Sequence, residues 1–277
     1  MWLHYCQLQF HFLQLSTMSA LSNAVSVLRL FSTERPELSV TEVSRLLDMP
    51  KSSASRLLKS MLREGLLANV GATPRYRVGH VFFEISRLYG RNSTLMDLTD
   101  NALGEICRAV RHGGYISILD GADALVLRAY IGPETLRVVT PLGSRMAAFA
   151  TSTGRTLLAR LSNEAIKALH PQPLVPPSPN APQNMGELME RIDQIRRCGW
   201  CEAIDEGVPG VGSVAVSIAD RASAETLAFC VSFPAHPVSE LERRRFAVTL
   251  TDAARRLATQ VDDQFWTRVK APKAVAA

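Results

Sequence analysis

Pro50-Lys51-Ser52-Ser53-Ala54-Ser55-Arg56-Leu57-Leu58-Lys59-Ser60-Met61-Leu62-Arg63-Glu64-Gly65 is the stretch whose reading decides the first fold in this 277-residue chain. Ala54, Leu57, Leu58, Met61 and Leu62 recur at the steps that bring side chains to one face of an α-helix. The opposite flank carries Ser52, Ser55, Arg56, Lys59 and Arg63 and no acid. Pro50 suits a helix start, where its missing N–H would have had no partner, and Gly65 suits a left-handed stop.

Upstream, Ser39 and Glu42 have the spacing of a capping box, which predicts a short helix from Val40 to Leu47. Asp48-Met49-Pro50 then supplies a tight turn between two helices. Before Pro36, Leu21, Val25, Leu28 and Phe31 mark another amphipathic helix over 21–33. Downstream, Leu66 to Asn69 and Arg75 to Val78 read as two strands joined through Gly71 and Pro74, a wing with Arg75 and Arg77 on one face. Helix, turn, basic helix and basic hairpin, in that order, are the parts of a winged helix-turn-helix.

That order points to double-stranded DNA. The major groove is about 12 Å wide and admits one helix, and a bidentate Arg56 can pair with one guanine edge. Ser52, Ser53 and Ser55 are short enough for close approach near the helix start. Lys51, Lys59, Arg63, Arg75 and Arg77 suit phosphates, which position a protein without reading sequence. The net charge of +5 agrees with an anionic partner but does not demand one. Val81, Phe82, Ile85, Leu88 and Tyr89 form a further apolar stripe on a connecting helix, able to pack on a second copy or on its own wing.

The rest of the chain mixes helices and strands without regular alternation, so the fold class is α+β. A helix from Thr94 through Val110 should end at Gly113-Gly114. Strands at Tyr115 to Leu119 and Leu125 to Tyr130 flank Asp120-Gly121, a hairpin turn, and Leu136 to Val139 adds a third. Thr151 to Leu161 is predicted helical, followed by a proline-rich loop beginning at Pro171. A helix over Gly186 to Arg197 precedes strands near Trp200–Ile204, Val211–Ile218 and Leu227–Phe233, and a last helix runs from Val238 to about Val269. No apolar run is long enough for a membrane span, which takes about 18 residues. Residues 1–17 lack the basic start of an export signal and precede a new pattern at Met18, so they read as an extension, with Met18 the native start. Five scattered cysteines without an export signal suggest reduced thiols and a cytoplasmic protein.

Leu46-Leu47-Asp48-Met49-Pro50-Lys51-Ser52-Ser53, Arg56-Leu57-Leu58 and Arg75-Tyr76-Arg77-Val78-Gly79 resemble the helix-turn-helix and wing exit of the IclR family of bacterial regulators. Gly143, Ala150-Thr151-Ser152-Thr153-Gly154-Arg155 and Leu157-Leu158-Ala159 look like the family's effector-loop helix. Gly199-Trp200, Asp205-Glu206-Gly207 and Gly210-Val211-Gly212-Ser213-Val214-Ala215-Val216 look like its late strand pair. The resemblance runs from about Ser19 to Thr259. It implies a winged helix-turn-helix over 18–79, a linker helix over 80–92, a GAF-like effector-binding domain over 93–270 and a tail from 271. It also implies a homodimer or tetramer and a small, usually carboxylated effector. Carried over position by position, the effector residues are Met146, Ser152, Thr153, Ala203, Asp205, Ser213, Cys230 and Ser232. The residues themselves agree, since Thr151-Ser152-Thr153-Gly154 stands at a predicted helix start, where free amides favour an anion.

A rival from another class is a cysteine-dependent redox enzyme on a GAF-like domain, suggested by Cys198-Gly199-Trp200-Cys201. A redox pair needs a thiolate stabilised at a helix N-terminus. Here the pair follows a helix that Gly199 should end, so the dipole opposes a thiolate. The histidines form no triad and no zinc ligand set with these cysteines. The expectation is no enzyme, no metal and no cofactor.

Overall fold

The computed structural model describes residues 19–32, 34–86, 93–132 and 141–269. The chain divides into two compact units, with the break between residues 91 and 92. The expected extension over 1–17, the strand at 136–139, Leu88 and Tyr89 of the connecting stripe and the tail from 271 lie outside the described residues.

In the first unit, α1 (Ala20–Leu28), α2 (Val40–Leu46) and α3 (Lys51–Arg63) pack around Val27, Val43, Ala54, Leu58 and Met61. The capping box forms, with the Glu42 amide donating to Ser39 Oγ at 3.3 Å and the Ser39 amide to Glu42 Oε2 at 2.7 Å. In the turn before α3, Asp48 takes a left-handed φ of 48° that a short polar residue tolerates, and Ser44 Oγ donates to Met49 O at 2.7 Å. Pro50 is the N-cap, one place earlier than a first helical residue. The wing strands β2 (Leu67–Asn69) and β3 (Arg75–Val78) pair as expected, and β1 (Leu38–Ser39) joins β3 from the other side. Two residues are too few to show alternation, which is why β1 was not legible. Gly79 is required at the wing exit, because a Cβ there would stand 1.9 Å from Gly65 O. A short helix, α4 (Val81–Ser86), follows, with Phe83 and Ile85 exposed and no residue fully buried.

The second unit is built on an antiparallel sheet of six strands. Before it comes α5 (Thr94–Val110); the strands are β4 (Gly113–Asp120), β5 (Asp123–Tyr130), β6 (Arg145–Ala147), β7 (Trp200–Ile204), β8 (Val211–Asp220) and β9 (Glu225–Pro234), in the order β6-β5-β4-β9-β8-β7. α5 ends through Arg111 in the left-handed region, and Gly113-Gly114 belongs to β4 instead of stopping the helix. The expected helix from Thr151 is a 3-10 turn at Ala148–Ala150 followed by α6 (Ser152–Leu158), and Ser162 then caps an unforeseen α7 (Asn163–Leu169). α8 (Met185–Cys198) ends at left-handed Gly199, as predicted. The final helix is shorter than expected: α9 (Glu240–Val261) stops at left-handed Asp262, and α10 (Phe265–Arg268) is separate.

The sheet has two unlike faces. Ile116, Val214, Val216, Phe229, Val231 and Phe233 project from one and make the main core with α5 and α9. The other face is covered by α6, whose seven residues are all buried.

Candidate functional site

The polar flank of α3 faces solvent: Lys51, Ser52, Arg56, Lys59 and Arg63 are exposed, and Ser53 and Ser55 are half-buried. Ala54, Leu58 and Met61 hold the opposite side in the core, which fixes the direction of the stripe. Among the described residues Lys51, Arg56, Lys59 and Arg77 make no ion pair, so their charge faces outward unneutralised. The two remaining basic residues differ from the sequence expectation. Arg63 pairs with its neighbour Glu64 at 3.0 Å. Arg75 is held by Glu37 at 3.3 Å and Glu42 at 3.2 Å and donates to Glu37 O, so it ties the wing to the start of α2. A guanidinium shared between two carboxylates has less charge to offer a phosphate.

The face under α6 is made of small side chains laid out by register. Ala203, Ser213, Ser232 and Gly113 stand in one cross-strand row; Cys201, Ala215, Cys230 and Tyr115 stand in the next. Ser217, Ala228 and Ser117 continue the pattern. Ser152, at the start of α6, shares a buried hydrogen bond of 2.7 Å with Ser213. Met146, from the edge strand β6, packs on Tyr115, Val126, Ala215 and Cys230. Thr153 Oγ1 lies toward the Tyr115 hydroxyl without a full hydrogen bond, and Ser232 Oγ has no partner among the described residues. Three buried hydroxyls on this face, those of Ser117, Thr153 and Ser232, lack a full hydrogen bond among the described residues, which is unusual because a buried polar group without a partner costs free energy.

Seven of the eight expected effector residues thus meet: Met146, Ser152, Thr153, Ala203, Ser213, Cys230 and Ser232. Asp205 stands apart. It adopts a φ of 55° in the turn between β7 and β8, and its Oδ1 accepts the Gly210 amide at 2.6 Å. Its carboxylate is engaged in shaping that turn. The start of α6 is also less open than the sequence suggested, since Thr151 Oγ1 accepts the Gly154 amide at 3.1 Å and the helix is only seven residues long.

Tyr115 was missed as a site residue, although Gly113-Tyr115-Ser117 alternates visibly with aliphatic Ile116 and Ile118. Burial, and then Cys230, raise its pKa well above the ordinary value, against smaller lowering by Ser213 and Thr153; it is a neutral phenol. Also missed was Arg155, one of the largest fully buried side chains. Its guanidinium meets Glu206 at 2.5 and 3.1 Å, Phe149 O at 3.1 Å and Glu202 O at 2.8 Å, while Nε donates to Cys201 Sγ at 3.2 Å. Burial alone would depress the Arg155 pKa, but Cys201 and Glu206 outweigh it and keep the group charged. Arg191 reaches the same Glu206 oxygen at 2.9 Å. No sequence pattern announces this network, because its members come from α6, β7, α8 and the turn after β7.

The setting of the two cysteines disfavours the thiolate that a redox pair needs. Burial raises the pKa of Cys201 against the lowering influence of Arg155, and it raises that of Cys198 as well. Gly199 does terminate α8, with its amide on Ile195 O at 2.7 Å. No helix among the described residues is long and apolar enough to cross a membrane.

An outward basic stripe on a winged helix-turn-helix, carried with an α+β unit bearing an uncharged hydroxyl face, defines a class: a DNA-binding regulator with an effector-binding unit. Comparison with known proteins supplies the family. The pattern of the IclR helix-turn-helix domain matches residues 20–71, and that of the bacterial transcriptional regulator IclR C-terminal region matches residues 89–259. The chain is 26% identical over 251 residues to the HTH-type transcriptional regulator KdgR of Dickeya chrysanthemi, covering 90% of this chain and 81% of that protein. It is 30% identical over 220 residues to an HTH-type transcriptional regulator of Mycobacterium tuberculosis, covering 78% and 82%. Among solved structures, a putative IclR regulator from Silicibacter superposes with a TM-score of 0.76 at 20% identity, covering 94% of this chain and all of that one. An IclR homolog from Microbacterium hydrocarbonoxydans, complexed with 4-hydroxybenzoate, superposes at 0.72 with 22% identity, covering 88% and 99%. This chain belongs to the IclR family of bacterial transcriptional regulators.

Proposed function

We propose that this regulator binds its operator through Arg56, Ser52, Ser53 and Ser55 at base edges, with Lys51, Lys59, Arg63, Arg75 and Arg77 on phosphates, and that a small carboxylate at the α6 face sets its affinity for DNA. The observation that carries the second half is the hydroxyl set of Ser152, Thr153, Ser213 and Ser232, in which two oxygens are buried and unpaired. Hydroxyls left without partners are what a hydrogen-bonding ligand would complete. The 4-hydroxybenzoate held by the structural relative supports a carboxylate as the class. Residues 18–79 act as the DNA-binding unit, 80–92 as linker and 93–270 as the sensing unit, in a cytoplasmic homodimer or tetramer with no enzymatic step. One winged module covers one half-site, so two held at fixed spacing supply specific affinity. A ligand changes DNA binding only through different affinity for the DNA-competent and incompetent states.

The test is footprinting on the upstream region of the protein's own gene, titrated with a series of carboxylates. Protection that changes with at least one carboxylate, and no longer changes in Ser213→Val, is the expected result. Protection indifferent to the whole series overturns the sensing half; absence of protection at low salt overturns the DNA half.

A further inference from the structure

Among the inward positions of β4, β7, β8 and β9, Tyr115 is the single aromatic side chain; its row neighbours are Cys201, Ala215 and Cys230. Only 5% of it is exposed, its ring belongs to the cluster of Val126, Ala215, Cys230 and Met146, and its hydroxyl neighbours are Cys230, Ser213 and Thr153. That is an aromatic ring in an apolar slot with its oxygen at a cluster of hydroxyls. A phenol or a benzoate bound on this face would make the same arrangement.

We propose that Tyr115 is a built-in occupant of the aromatic part of the effector site, so that this chain selects compact, non-aromatic carboxylates and excludes aromatic acids. The inference rests on the effector reading given above and names the ligand subclass. The ring fills the slot; the phenol hydroxyl stands among the groups that would otherwise receive a ligand's polar end. Truncating the side chain would leave a ring-sized cavity with largely apolar walls, of the kind that accepts benzene-like molecules in other protein cores. Hydroxyls at one end of that cavity would add preference for an aromatic that carries an oxygen.

The experiment is calorimetric titration of the full chain with benzoate and with benzene, for wild type, Tyr115→Ala, Tyr115→Phe and the double variant Tyr115→Ala with Ser213→Val. Benzoate should bind Tyr115→Ala at least about tenfold more tightly than wild type, the worth of roughly one well-placed hydrogen bond. Tyr115→Phe should stay closed to benzoate, and the double variant should lose the benzoate gain while keeping benzene. If Tyr115→Ala unfolds, restoration of its thermal transition by millimolar benzoate supports the proposal, and failure to restore it overturns it. Wild type binding benzoate as tightly as a folded Tyr115→Ala, or a folded Tyr115→Ala gaining nothing, also overturns it. These outcomes are read on ligand binding alone. A carboxylate response missing from the footprint, with the benzoate gain present, would instead count against the effector reading.

Discussion

Arg56 on α3 and Tyr115 on β4 stand at the centres of two proposed sites built on opposite plans. The first is centred on one exposed, cationic helix of thirteen residues, with the wing arginines Arg75 and Arg77 added from β3. The second is buried and uncharged, and its parts span Tyr115 on β4 to Ser232 on β9. An exposed site needs a core behind it only to aim its side chains, so its chemistry can change with little effect on the fold. On the buried face the proposed binding groups also form the packing, and each polar atom there must be partnered or leave a cost. Mutations should therefore separate function from stability at α3 and entangle them at the α6 face.

The sharpest way to break that contrast is Glu206→Ala. It leaves the Arg155 guanidinium buried without its carboxylate, and the expected loss is about 3–5 kcal/mol in chemical denaturation of the full chain. A loss below about 1 kcal/mol would mean that Phe149 O and Glu202 O hold the charge unaided. Next in size, Arg56→Ala should cost about 1–3 kcal/mol of operator binding and relax discrimination at one base pair, with the thermal midpoint unchanged. Competition footprinting against single-base operator variants reads it.

A smaller effect is expected for Thr151→Ala, which removes the acceptor of the Gly154 amide and should destabilise by about 1 kcal/mol, with Thr151→Ser near wild type. On the DNA side, Arg77→Ala should weaken binding to all sequences and lower the salt slope by about 1. Arg75→Ala should change that slope less, because Glu37 and Glu42 already engage the guanidinium; equal slopes for the two would refute this division. The smallest effect concerns pH. Hydrogen bonds from Ser39, and then Arg75, lower the Glu42 pKa, and Ser39's counterpart Ser239 does the same for Glu242. A lowered folded pKa stabilises above the ordinary glutamate range, and that contribution fades as pH falls through the lowered value. Acid titration of Ser39→Ala beside wild type should show the difference narrowing toward low pH.

Local chemistry was legible in the sequence. Ser39 with Glu42, Gly65 after α3, Gly199 after α8 and Asp120-Gly121 each name a cap or turn from a few neighbouring residues; the first three are found where expected, and the hairpin turn falls one residue later, at Gly121-Ala122, with Asp120 ending β4. Misreadings came where a longer-range packing choice decided the outcome. Gly113-Gly114 looked like a helix stop, yet a Cβ at Gly114 would lie 2.3 Å from Cys230 O, so these glycines serve the close approach of β4 to β9. Asp205 reads as a ligand contact in the sequence, and the structure adds that its carboxylate accepts the Gly210 amide across a tight turn, which no local pattern shows.

Periodicity and caps in the amino-acid order determined that there is a basic helix with an apolar back, followed by a wing, because helical repeat and hydrogen-bond capping act over a few residues. Only the tertiary structure decided that Tyr115, Cys230 and Ala215 share a row, that α6 closes over it, and that Arg155 finds Glu206. Strand register and the pairing of buried charge are settled by the packing of distant segments, and that competition leaves little trace in any one of them.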